Sequence, residues 1–296
     1  MSENDALLIG KESPRFSTIG TLPRSISSQK KNTLLHLNPL SKIIECALIS
    51  PYIKNEKPLS LMIVAKPEHG KTSIMKQYRQ NKGIAYVTDC TAYGLTRDLL
   101  PKMTSGEIRT LMIPDLLTPL SKSAKTRQTF VAFLNNLIEE GIVKITTYVQ
   151  IWTQDVNCNV VTAVTDQALE DGRHEWAKIG FLSRFIIFSY SYSLSTVMEI
   201  MNHYSNHALM DNSVRLQLPK TVQDIELSRE IADKLNPVAM KVGEQFELHG
   251  IRAKINFRSL LKCLAYRNAR KIVTDAEYRE FLKLADYMNF SYKPMA

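Results

Sequence analysis

Apolar and polar positions change rhythm along the chain. "LSLMIVA" (Leu59 to Ala65) is a nearly unbroken apolar run, the pattern of a short strand buried on both faces. "GIAYVTD" and "IRTLMIPD" predict two further strands. "IVKITTYVQIW" and "NVVTAVT", on either side of "TQDVNCN", predict a hairpin-like excursion back into the sheet, and "RFIIFSYSYS" predicts one more strand. Between these runs the period lengthens. Leu40, Ile43, Ile44, Ala47 and Leu48 recur at helical spacing in "NPLSKIIECALISPYI". "KTSIMKQYRQN" predicts a helix directly after the first strand. "KTRQTFVAFLNNLIEEG" predicts a strongly amphipathic one, with Phe130, Phe133, Leu134, Leu137 and Ile138 on one face and Gly141 as its stop. From about Ser195 helical patterns dominate: "SLSTVMEIMNHYSNHALM", "VQDIELSREIADKL", "FRSLLKCLAYRNARK" and "DAEYREFLKLADYMN".

Strands alternating with helices, followed by helices alone, predict a parallel-sheet α/β core and then a small all-α lid. Residues 1–35, rich in Ser, Lys and Arg and without periodicity, are expected to form a mobile arm. The core is expected over 36–212 and the lid over 213–296.

Composition narrows the class. Apolar residues are 44% and charged residues 23% of 296, the balance of a soluble globular protein. No run of about 18 uncharged apolar residues occurs, so no membrane-spanning helix is expected. The first residues are acidic and then polar, unlike a secretion signal. Cys46, Cys90, Cys158 and Cys263 lack paired spacing, which argues against a disulfide framework or zinc knuckle and for a reducing, cytoplasmic location. The formal net charge of +9 favours a polyanionic partner, DNA or RNA first.

The chemistry is expected between the first strand and its helix. Ala65, Lys66, Pro67, Glu68, His69, Gly70, Lys71 and Thr72 match the phosphate-loop frame G-x-x-x-x-G-K-[ST], except that Ala65 replaces the first glycine. Backbone N–H groups of such a loop, continued by Ser73 at the helix start, face phosphates. Gly70 allows close approach, Lys71 neutralises β and γ phosphates, and Thr72 supplies a hydroxyl for Mg²⁺. Ala65 is compatible provided its φ stays negative. ATP and Mg²⁺ are the expected cofactors. Asp115, ending "TLMIPD", is the second candidate for the metal. Hydrolysis also needs a group that polarises the attacking water, and the residue after Asp115 is Leu116. Asp89, Glu139 and Glu140 are the substitutes in the sequence.

Further stretches resemble the minichromosome maintenance helicases, AAA+ ATPases related to the MoxR and magnesium-chelatase group. "KIGFLSRFIIFSYS" resembles their leucine-serine-arginine-phenylalanine motif. "LIEEGIVKITTY" with "CNVVTAVT" resembles their hairpin and strand before the first sensor. "INFRSLLKCLAYRNARKIVTDAEYREFLKLA" resembles their lid. The resemblance runs from about Pro58 to Asn289. It implies Lys71 and Thr72 as the Walker A pair and Asp115 as the Walker B metal residue. It implies Arg184 as an arginine finger acting on a neighbouring subunit's nucleotide, Arg258 as the lid's second sensor, and Thr165 at the place of a sensor asparagine. It also implies a homo-oligomer, a ring or partial ring, that acts on DNA or on a protein bound to DNA. Glu140 stands where the family's hairpin carries a basic residue, with Lys144 near. The alternative is a nucleotide-binding switch or adaptor with little or no hydrolysis, recruiting partners.

Three features have plainer readings. From Arg252 to Lys271 the chain carries seven basic residues and no acidic one, either a phosphate-contacting or a solvated helix face. His203 and His207 have metal spacing but no third ligand, and are expected to be ordinary histidines. Tyr190 and Tyr192 alternate as packing residues on one sheet face.

Overall fold

The computed structural model describes residues 36–139, 141–146, 151–206, 213–290 and 292–295. The expected N-terminal arm, Glu140 and His207 lie outside them. Five parallel strands form the main sheet: β1 (Leu61–Val64), β2 (Ile84–Tyr86), β3 (Thr110–Ile113), β6 (Asn159–Val164) and β7 (Ile186–Ser189), in the order β2-β3-β6-β1-β7. The chain is α/β with an all-parallel sheet, as the alternating pattern predicts.

Both faces of the sheet are covered, which is why its strands read as continuous apolar runs. Leu61 and Ile63 of β1 enter one core, with α1 (Asn38–Ile49) and α2 (Lys71–Tyr78). Met62 and Val64 enter the opposite core, with α6 (Ala124–Glu139) and α7 (Asp166–Lys178). Shorter helical pieces join the second face: α3 (Ala92–Gly94), a π-helical turn at Leu95–Leu99, α4 (Leu100–Thr104) and α5 (Leu117–Leu120).

The hairpin differs from its expectation. It is formed by β4 (Ile142–Thr146) and β5 (Ile151–Asp155), a two-stranded antiparallel sheet of its own. "NVVTAV" is not part of that excursion. It is β6, all six residues buried, between β3 and β1. An apolar run without alternation belongs in a sheet centre, where both faces are dry.

After β7 come β8 (Ser191–Tyr192) and α8 (Leu194–Asn206). The late helices are α9 (Arg229–Lys234), α10 (Asn236–Glu244), α11 (Ile251–Arg267) and α12 (Asp275–Ala285). They share a hydrophobic core with α1, α2 and one face of the sheet. Helix α1 is therefore buried nearly all round, and its Glu45 is met by Arg267 of α11 at 2.7 Å. The stretch "VQDIELS" is not helical. Its backbone is taken by parallel bridges from Gln223 to Ile53 and from Glu226 to Ile272. The chain returns as β9 (Pro294–Met295), which pairs with β8.

Asn159 ties the amino ends of β1, β3 and β6 to the last turn of α1. Its Nδ2 donates to the carbonyls of Ala47 and Leu59, each at 2.7 Å, and its Oδ1 accepts from Thr110 Oγ1 at 2.7 Å. The four cysteines are buried and unpaired. Burial pushes the Cys90 thiol up to about 11 and the Cys158 thiol up to about 12, so neither is a ready nucleophile. Among the described residues no helix is long and apolar enough to cross a membrane.

Candidate nucleotide-binding site

Helix α2 follows β1 onto one face of the sheet, and α7 follows β6, its neighbour, onto the other. Between β1 and β6 the chain thus leaves the carboxyl edge in opposite directions. Open α/β sheets bind ligands in the crevice such a reversal creates. Residues 65–72 lie at that place.

The loop's geometry follows from its sequence. Ala65 is buried and is not among the residues with positive φ, so it meets its condition. The left-handed positions are Glu68 (φ 64°) and Gly70 (φ 80°). Gly70 is the N-cap of α2, and no side chain caps that helix. Its φ of 80° is what favours glycine there; a Cβ would also lie a tight 3.3 Å from Leu37 Cδ1. Lys66, Pro67, Glu68, Thr72 and Ser73 are exposed.

Lys71 turns back over the loop. Its Nζ donates to the carbonyls of Ala65 at 2.5 Å and Lys66 at 2.7 Å. Burial lowers the pKa of this ammonium, while Asp166 and Asp115 work to raise it. Asp115, just past β3, accepts from Leu117 N and Thr118 Oγ1, both at 3.0 Å, and stays exposed. Thr165, just past β6, accepts from Ala168 N at 3.2 Å as the N-cap of α7. The carboxyl ends of β1, β3 and β6 therefore bring together the loop, Asp115, Thr165 and Asp166.

Asp166 was not singled out from the sequence. Its position directly after the apolar run "NVVTAVT" is the same signal that marked Asp115. Tyr190 and Tyr192 pack against one core, as their alternation predicts, and they also touch the loop. Tyr190 Oη donates to the His69 carbonyl at 2.6 Å, and the Tyr192 ring stacks on the His69 ring at 4.9 Å. His69 Nδ1 bonds the Pro67 carbonyl at 2.9 Å. The loop tip is held by the chain leaving β7.

Other candidates stand elsewhere. Arg184 ends a short 3₁₀ turn, Leu182–Arg184, that enters β7 at its amino end. Since β1 and β7 are parallel, Arg184 is at the opposite edge of the sheet from the loop. Its Nε lies 3.2 Å from Glu139 Oε2, and its Nη1 donates to the Gly180 carbonyl. Glu139 is thereby removed as a substitute base near the loop. Arg258 of α11 donates to Glu56 Oε1 at 3.0 Å, on the segment that enters β1, and Lys262 meets the same carboxylate at 2.8 Å. Asp89 pairs with Lys122 at 2.8 Å. Leu116 is fully buried.

The basic run of α11 is partly neutralised within the chain. Besides Arg258 and Lys262 on Glu56, Arg252 meets Glu139 and Arg270 meets Glu277.

A scan against protein-family models found no match, and neither did a search of curated proteins.

Proposed function

We propose that the chain binds ATP with Mg²⁺ through residues 65–73 and is an ATP-binding protein of AAA+ type. In this reading 36–212 is the nucleotide-binding core and the helices within 213–296 are its lid. One observation carries it. Lys71 begins a helix at the carboxyl end of an interior strand, in the crevice between oppositely directed crossovers, with Asp115 and Asp166 in electrostatic range. The Lys71 ammonium donates to the carbonyls of its own loop. A triphosphate offers it stronger, charged acceptors. The first-turn N–H groups of the uncapped α2 complete the cradle.

The residues present fit Mg²⁺, which keeps several waters and takes one or two carboxylates plus phosphate oxygens. The Thr72 hydroxyl and the Asp115 carboxylate would hold it, with Asp166 nearby. When bound it neutralises part of the phosphate charge.

As an ATPase the protein would direct water at the γ-phosphate, with Lys71 stabilising charge and Arg184 acting from a neighbouring copy. Arg184 lies at the sheet edge away from its own loop, so a finger role would be played on a neighbouring copy; within its own chain it is held by Glu139 and the Gly180 carbonyl. The finger role requires a homo-oligomer, a ring or partial ring. Handling of DNA or a DNA-bound protein rests on the resemblance and on the charge of +9. A nucleotide-binding switch with little or no hydrolysis is the second reading. It is favoured by the buried Leu116 beside Asp115, which leaves no carboxylate at that step.

The test is calorimetric titration of the protein with ATP and Mg²⁺, paired with phosphate release with and without DNA. Saturable binding that weakens about 10- to 100-fold in Lys71→Ala, the worth of a charge-assisted contact, is expected. Turnover distinguishes the motor from the switch. Absence of saturable binding to any nucleotide would overturn both.

A further inference from the structure

A cavity of ≈ 380 Å³ lies along β7, the edge strand, between it and the turn joining α10 to α11. Ile186, Val242, Phe246, Phe257 and Met288 make its walls mostly apolar. Its volume falls in the range of about 300–1,000 Å³ typical of small-molecule sites. Its charged lining is one guanidinium and one carboxylate, and they meet each other: Arg252 Nε lies 3.1 Å from Glu139 Oε2. Arg252 Nη1 also donates to Ser183 Oγ at 3.0 Å. The imidazole in the lining, His249, is exposed. The charges that face the cavity are thus matched within the chain.

Two hydrogen-bonding groups of the lining are not matched. Asn256 of α11 is 5% exposed, and among the described residues its carboxamide has no hydrogen-bond partner. Buried side-chain amides ordinarily have one. The second group is backbone. The N–H groups of Ile186 and Tyr190 donate to the Ser60 and Val64 carbonyls, on the side of β1. Alternate residues of a strand turn their N–H and C=O to opposite sides, so those of Ile187 and Ser189 face away from β1. Ser189 N donates to the Tyr287 carbonyl at 2.8 Å and Ser191 N to the Lys293 carbonyl at 3.3 Å, which completes the edge there. Ile187 lies one step before that cover and lines the cavity. It is 4% exposed, and among the described residues its N–H meets no acceptor.

A carboxamide and a strand edge each present a donor beside an acceptor. Within apolar walls and among matched charges, the complement of that arrangement is a neutral molecule with an amide of its own. We propose that this cavity binds an uncharged amphipathic amide, with its apolar body against Val242, Phe246 and Phe257 and its amide on Asn256 and the β7 edge at Ile187. A carboxylate cannot donate and must leave water without a free counter-charge. A short amide leaves the apolar walls unused.

The test is calorimetric titration of the full chain at pH 8, without nucleotide, by octanamide, N,N-dimethyloctanamide, octanoate and acetamide, each below any micelle-forming concentration. Because no nucleotide is present, its outcome is separate from that of the ATP reading. Octanamide is expected to bind saturably at one equivalent. The dimethyl amide, which keeps the carbonyl and loses both N–H donors, is expected to bind about tenfold more weakly, the worth of a buried hydrogen bond. Octanoate is expected to bind at least about tenfold more weakly, through the cost of burying its charge. Acetamide is expected to give no saturable heat. Asn256→Leu, close in volume and without the amide, is expected to weaken octanamide by about tenfold. If it melts below the parent, Asn256→Ala makes the same comparison. Ala253→Phe, which places a ring in the cavity from α11, is expected to abolish octanamide binding. If thermal melting shows that variant unfolded, Val242→Phe provides the same block. The dimethyl amide binding as tightly as octanamide would show a plain apolar void. Octanoate binding as tightly would show a charged site, and acetamide binding as tightly would show that the apolar walls play no part. Unchanged octanamide affinity without the Asn256 amide, or no saturable octanamide uptake by the parent, would show that the site is not there. Any of these overturns the proposal.

Discussion

The Tyr190 hydroxyl donates to the carbonyl oxygen of His69 at 2.6 Å, so the tip of the 65–72 loop is tied to the strand at the sheet's edge. Tyr190 is fully buried and Tyr192 stacks on the same histidine. The tie holds the left-handed Gly70 and the start of α2 in register with the crevice. Tyr190→Phe keeps the ring and removes the bond. It is expected to cost about 1 kcal/mol in urea unfolding. It is also expected to weaken ATP by several-fold, because the loop must then be ordered on binding. The same stability cost with unchanged affinity would show that the tie serves packing alone.

Leu116 stands where a water-polarising carboxylate would be sought, and it is fully buried in the apolar core on that face of the sheet. Leu116→Glu is therefore expected to destabilise the fold by at least about 3 kcal/mol at neutral pH, since the carboxylate must be buried or protonated. Thermal melting checks this. A variant that melts like the parent and gains turnover would show that the crevice reaches that side chain.

Asp166 faces Lys71 electrostatically from the start of α7. Asp166→Asn removes one negative charge from the phosphate crevice. ATP without Mg²⁺ is expected to bind more tightly to this variant, through reduced repulsion. The gain on adding Mg²⁺ is expected to shrink, since a carboxylate near the ion is lost. Titration with and without the ion measures both effects. An unchanged Mg²⁺ dependence would remove Asp166 from the site.

Glu277 begins α12 in a capping box with Thr274, and its carboxylate also accepts from Asn268 Nδ2 at 3.0 Å and Arg270 Nη1 at 2.9 Å. Burial works to raise its pKa, but these donors hold it below the ordinary value of 4.5. A depressed carboxyl pKa contributes stability that is fully present above the unfolded value and is lost as pH falls through the folded one. Glu277→Gln is expected to cost about 1–3 kcal/mol at pH 7. The gap to the parent should close as pH drops below 4.5, measured by urea midpoints across the acid range.

Much of the site was legible because it is local. A buried strand, a turn with glycine at a left-handed position and a helix start all lie within Ser60 to Tyr78, and each has its own residue pattern. Asp115 was legible for the same reason, as the first acid after an apolar run. Asp166 carries an identical signal, but the pattern assigns the run before it to a hairpin, and only the strand order shows that run to be interior.

What the sequence by itself determined is the content of the layers: which runs are dry on both faces, which helices have one apolar side, and where the chain can bend tightly between a strand and a helix. Those properties depend on neighbours a few residues apart. Tertiary structure alone decided which strand lies beside which, and so that β6 separates β1 from β3 and opens the crevice between opposed helices. It also decided that Asn159 joins Ala47, Leu59 and Thr110, that Tyr190 holds His69, and that Arg184 rests on Glu139. Each of these pairs residues about 45 or more positions apart, where hydrogen-bond partners are chosen by the packing of whole layers and leave no periodic trace in the chain.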